Sequence, residues 1–240
     1  MISCLVEVSE MSGVKTYDPT SWRPKHLDLL LSAVIAFSLP AVAGWLYDLS
    51  GVLIPMLIYY SLAWGLVKLR RGVVGYGTPF PKKPPKWFYV NVLVILTALF
   101  FAYQARIRVE EVDRFGVLLT ALLWAPVNAS TEQILWLYLF DSWDLYPEKP
   151  RLRYRLAGLV FFAAFVGLIH TMFWTKFLHV ASPEGFFGVA FVLMTTISGF
   201  IHIVVWRQSG NMVFTFIPHF LLNLGLLFWT GYSIVPYLWR

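Results

Sequence analysis

Glu132, His170, His219 and Asn223 each fall inside a stretch otherwise apolar and long enough to cross a bilayer. A group that is costly to desolvate is rarely kept there without a partner or a task. Their types suit hydrolysis: a carboxylate to take a proton from water, and imidazoles and an amide to hold the oxyanion formed when water attacks a carbonyl. His219 and Asn223 are spaced i, i+4, so both project from one face of a helix. Pro218, just before them, removes a backbone hydrogen bond to the carbonyl of Phe214 and predicts a kink beside His219. Each residue alone has a plainer explanation, since Asn and His join membrane helices and a buried Glu can stay neutral. The chemical explanation gains weight because three separate helices each contribute to the set. Two His and one Glu also form a common zinc set with an open position for water, so Glu132, His170 and His219 leave metal dependence open.

The elements that must position these groups are membrane helices. Of 240 residues, 58% are hydrophobic and 13% charged, with 20 Phe and 11 Trp. That is more apolar surface than a water-soluble core of this length buries. The composition predicts an all-α, polytopic transmembrane helical bundle. Runs 29–47, 49–67, 87–105, 115–140, 156–175, 185–206 and 208–239 give about seven spans, each long enough for the roughly 20 residues that a hydrocarbon core requires, the last with a short interfacial piece besides. An eighth would require splitting one of them. The chain divides into an N-terminal cytoplasmic or interfacial segment (1–28), N-terminal transmembrane helices with a basic loop (29–114), and a C-terminal transmembrane core (115–240) that carries the polar set. Glu132 falls about eight residues, or about 12 Å, from the nearer end of its run, too deep for a short carboxylate to reach water. It therefore needs a cavity or a partner. His202 is expected near the membrane interface and His179 in a loop, both outside the site.

Charge predicts orientation. With the N-terminus in the cytoplasm and seven crossings, 14 of the 19 Lys and Arg fall on the cytoplasmic side, as the positive-inside rule requires. The net charge of +6 is thus a topology signal and an attraction to anionic lipid; no recognition motif for nucleic acid accompanies it. Residues 1–25 lack a signal peptide's basic start and apolar core, and Glu7, Glu10 and Asp18 interrupt them. The single cysteine, Cys4, excludes an internal disulfide framework. Residues 77–86, GTPFPKKPPK, form a non-helical, extended connector. Asn128-Ala129-Ser130 matches a glycosylation sequon but lies within a span, where no sugar could be attached.

In order along the chain, Glu132-Gln133, an intramembrane His170, a small-residue basic turn Arg207-Gln208-Ser209-Gly210-Asn211 and His219-Phe220-Leu221-Leu222-Asn223 resemble the CPBP family, which includes the type II CAAX-prenyl endopeptidases and Abi-like proteins. The similarity covers about residues 115–229. That family carries EExxxR, FxxxH and HxxxN or HxxxD motifs on helices around a cytoplasm-facing cavity. The resemblance implies that Glu132 is the leading glutamate, His170 the middle histidine, and His219 and Asn223 the final pair. Here the second glutamate is Gln133, the motif arginine is Leu137, and Val166 replaces the phenylalanine, with Phe165 one place earlier.

The expectation is an intramembrane endopeptidase in which Glu132, assisted by His170, activates water while His219 and Asn223 hold the oxyanion. No cofactor is required, with zinc the open alternative. Its partners would be membrane lipids and a peptide or membrane-protein substrate, lipid-modified or not. Two other classes compete: an inactive protease-like scaffold that binds such a partner, and a proton- or ion-coupled transporter. The transporter is disfavoured because no inverted repeat or paired broken helices appear in the two halves.

Overall fold

A computed structural model describes residues 17–107, 109, 112–173, 176 and 185–239. Cys4, Glu7, Glu10 and His179 lie outside them. All regular structure among the described residues is helical: α1 (His26–Ser50), α2 (Leu53–Arg71), α3 (Lys86–Gln104), α4 (Arg114–Leu119), α5 (Ala125–Asp144), α6 (Leu152–Met172), α7 (Gly185–Ser209) and α8 (Val213–Thr230). A π-helical turn, Thr120–Trp124, joins α4 to α5, so the two run on as one interrupted rod. By length and composition α1, α3, α6, α7 and α8 can cross a membrane. This is a helical membrane bundle. The last run, 208–239, holds less helix than its apolar length allows, because α8 stops at Gly231 and a short 3-10 turn, Val235–Tyr237, follows.

Burial explains the arrangement. α5 packs against α1, α2, α6 and α8 and is enclosed on nearly every side, with Gln133, Leu135, Tyr138, Leu139 and Asp141 fully buried. The outer helices instead turn Leu30, Phe37, Leu93, Phe100, Val160 and Leu193 outward. Exposed apolar area of that extent is unfavourable in water and expected against lipid. α3 lies mainly along α7 and α8.

Charges are gathered at one end. Asp141 on α5 accepts from Arg71 of α2 at 2.6 Å and from Arg207 of α7 at 2.6 Å, and Asp144 accepts from Arg207 at 2.6 Å and Arg155 of α6 at 2.8 Å. Arg71 also stands over the Trp22 ring at 4.7 Å, a cation–π contact. On α1, Asp28 pairs with Arg70 at 2.8 Å and accepts from the Tyr138 hydroxyl at 2.9 Å. These contacts tie together the ends of α1, α2, α5, α6 and α7. The turn between α7 and α8 closes beside them. Gly210 has φ of 61°, and a Cβ there would lie 2.0 Å from the Tyr17 carbonyl oxygen, so only glycine fits. Asn211 accepts from Val213 N–H at 2.9 Å at the start of α8 and donates to Thr78 O at 2.7 Å, fixing the turn to the connector, which is non-helical through residue 85, Lys86 being the first residue of α3.

Candidate active site

Glu132, His170, His219 and Asn223 line one cavity of about 100 Å³, room for several waters. Glu132 comes from the middle of the α4–α5 rod, His170 from the last turn of α6, and His219 and Asn223 from successive turns of α8. His219 Nε2 approaches Glu132 Oε2 at 3.5 Å. Pro218 sits within α8, which continues through it.

Hydrogen bonds give the two histidines different roles. His170 Nδ1 lies 2.8 Å from the Val166 carbonyl oxygen, one turn back in its own helix. A carbonyl only accepts, so Nδ1 carries a proton and Nε2 of the neutral ring is an acceptor. His219 Nδ1 meets the side-chain amide of Gln133, and its Nε2 faces the carboxylate. Trp136 packs against both rings, with centroids 5.6 Å from His170 and 5.4 Å from His219, the latter stacked. Its indole N–H donates to the Tyr59 hydroxyl at 3.1 Å. Asn223 Nδ2 lies 3.5 Å from the Ala125 carbonyl, leaving its second N–H for the cavity.

Several contributors were not foreseen from the sequence. Asn128, with its amide nitrogen turned towards Glu132, donates to Oε2 at 3.0 Å and Oε1 at 3.2 Å. The signal was present: Asn128 stands four residues before Glu132, hence on its face, but its sequon context drew attention elsewhere. Tyr59 and Tyr60 of α2 and Trp124 at the end of the π turn complete the wall. A π turn inserts one extra residue into a helix and often marks a functional site; here nothing in residues 120–124 announces it.

One expectation changes. His202 is not interfacial: it is 3% exposed, enclosed between α3, α7 and α8. Its Nδ1 bonds the Ser198 carbonyl at 2.6 Å, and Nε2 lies 3.0 Å from the Thr215 carbonyl and 3.4 Å from Asn91 Nδ2. With Nδ1–H donating to Ser198, Nε2 accepts from the Asn91 amide, so the ring has a partner on each nitrogen inside the bundle and no need of headgroups. Leu137 is core, and one turn later Asp141 takes both Arg71 and Arg207.

The cavity also has a direction. Ala43, Pro55, Met56, Phe173 and Phe191 line it, and each lies in the half of its helix remote from the arginine cluster. The lining thus extends towards the end of the bundle away from the arginine cluster. A second cavity of about 450 Å³ between α6 and α7 shares His170 and His219 with the first and is walled by Val166, Gly167 and Gly199.

Around the candidate zinc set, Trp136 packs against both imidazoles, Nε2 of His219 faces Glu132 with an amide on its other nitrogen, and among the described residues no group of three His, Cys, Asp or Glu stands out as a metal position. No protein-family model, curated protein or solved structure matches the chain.

Proposed function

We propose that this chain is an intramembrane endopeptidase of the CPBP type that hydrolyses a peptide bond with water activated by Glu132. What supports this reading is one observation: a carboxylate, an imidazole acceptor, an imidazole facing that carboxylate and an amide share a cavity with room for several waters inside an apolar bundle. Glu132, with His170 Nε2 as second acceptor, takes a proton from a cavity water as its oxygen bonds to the scissile carbonyl carbon. His219 Nε2–H and Asn223 Nδ2–H donate to the oxyanion. When the C–N bond breaks, Glu132 returns the proton to the departing amine, and neither a covalent intermediate nor a metal step is needed. The substrate is a peptide or a membrane-protein segment, with or without a lipid, drawn from the surrounding bilayer.

The same proposal has seven crossings, counting α2 and the α4–α5 rod with the five apolar helices, and an N-terminus in the cytoplasm. The competing reading is a binding scaffold without turnover, favoured by Gln133 and Leu137 where the resembling family has Glu and Arg. Peptide-library cleavage in liposomes decides between them. Glu132→Ala, His170→Ala and His219→Ala should each nearly abolish turnover, Asn223→Ala should cost about 10²-fold, and chelators should leave the wild type unchanged. A folded wild type that cuts nothing, or full cleavage by the Glu132 variant, would end the protease reading.

A further inference from the structure

Gln133 is fully buried on the central helix, beside Glu132 but on a different face, and its amide is the partner of His219 Nδ1. Orientation of that amide decides which imidazole nitrogen carries the proton. If Nε2 of Gln133 points at the ring, Nδ1 must accept, and the proton of neutral His219 sits on Nε2. On the far side of the amide, the Thr215 hydroxyl shares its one proton between the Met212 carbonyl at 2.9 Å and Gln133 Oε1 at 3.4 Å, a hydroxyl contact that suits the oxygen end of the amide. On the far side of the ring, Nε2 faces Glu132 Oε2 at 3.5 Å; a protonated Nε2 is attracted to a carboxylate, whereas a bare one would set lone pair against lone pair.

We infer that Gln133 is a positioning residue that holds His219 in its Nε2–H tautomer, so that this histidine presents a hydrogen-bond donor to the cavity while His170 presents an acceptor. Glutamate at this position would reverse the assignment. A carboxylate accepts from Nδ1–H, which strips Nε2 of its proton or forces the ring to become an imidazolium between two carboxylates. The glutamine thus makes His219 a poor Nε2 metal ligand, because coordination would require moving the proton to Nδ1 and turning the amide away from Thr215. The catalytic consequence rests on the hydrolytic reading above; the tautomer does not.

The test is nitrogen NMR of histidine-labelled protein in bicelles, with His219 assigned by its loss in His219→Ala. The wild type should show a pyridine-type Nδ1 and a pyrrole-type Nε2 for His219, and the opposite pattern for His170. Gln133→Glu should move the His219 proton to Nδ1 or protonate both nitrogens. Gln133→Leu should mix the two tautomers and, in the cleavage assay, lower kcat by about tenfold with KM little changed, the loss of one hydrogen bond's orientation. A pyrrole-type Nδ1 in the wild type, or a His219 pattern unaltered in both variants, would overturn the assignment whether or not the protein cleaves peptides. A correct tautomer pattern in a protein without cleavage would leave it standing and remove the protease reading alone.

Discussion

The Glu132 carboxylate is held by two kinds of donor, and they are separable. Asn128 reaches both of its oxygens from the same helix, while His219 approaches from α8. A buried carboxylate without hydrogen bonds is costly and loses its orientation, so Asn128→Ala should reduce cleavage by roughly tenfold or more through one lost charged-acceptor bond, with the helical content unchanged by circular dichroism. Asn128→Asp should be worse than alanine, since it sets a second carboxylate beside the first. His202 provides the contrast. It lines the α6–α7 cavity, yet its two ring nitrogens are committed to the Ser198 carbonyl and the Asn91 amide, and its centroid is 6.0 Å from that of His219. His202→Ala should therefore lower thermal stability in detergent by about 1–3 kcal/mol, the cost of leaving buried polar groups unpaired. A variant as stable as wild type would show that those bonds contribute nothing.

At the scale of elements, α5 is the axis on which the others are hung. Its apolar face carries no clear period, because every face is covered: Leu135 and Tyr138 meet the aromatic core around Phe162 and Phe165, and Glu132 and Gln133 turn to the cavity and to α8. Its last turn collects α2, α6 and α7 through Asp141 and Asp144. Asp141 is fully buried and Arg71 nearly so, and removal of the acid leaves the buried Arg71 guanidinium without a carboxylate and Arg207 with Asp144 alone. Asp141→Ala should cost about 3–5 kcal/mol in reversible detergent unfolding. Asp141→Ala combined with Arg71→Leu should recover part of that loss, since the orphaned buried charge is removed with its partner. An Asp141 variant that unfolds at the wild-type point would show that the cluster does not hold the helix ends.

For the whole molecule, the arginine cluster and the cavity lie towards opposite ends of one bundle. If positive charge marks the cytoplasmic side, water and substrate reach Glu132 from the other side or laterally between α6 and α7. Labelling of right-side-out vesicles by an impermeant maleimide decides this, in a background where Cys4→Ser leaves no native thiol. Arg114→Cys and the cavity-lining Met56→Cys should react from outside, and Lys82→Cys only after the membrane is opened. Reaction of Met56→Cys together with Lys82→Cys would place the mouth on the charged side and restore the cytoplasm-facing cavity of the resembling family.

Much of the architecture was legible in one dimension, because apolar length is a local property: the seven runs fall on the helices α1, α2, α3, the α4–α5 rod, α6, α7 and α8, of which α1, α3, α6, α7 and α8 are long and apolar enough to cross a membrane. Glu132, His170, His219 and Asn223 stood out for the same local reason, the cost of a polar group in an apolar span. Their partners did not, since these come from chain positions far apart: Gln133 and His219 are 86 residues apart and Trp136 and Tyr59 are 77. Depth along a run also misplaced His202, because a membrane helix can satisfy a polar ring from neighbours as well as from headgroups. Composition determined that the chain is a bundle of membrane helices with a few costly polar groups. Tertiary packing alone decided which of those groups meet, which nitrogen of each imidazole faces the cavity, and towards which end the cavity lies, because hydrogen-bond direction and cavity shape arise only where separate helices touch.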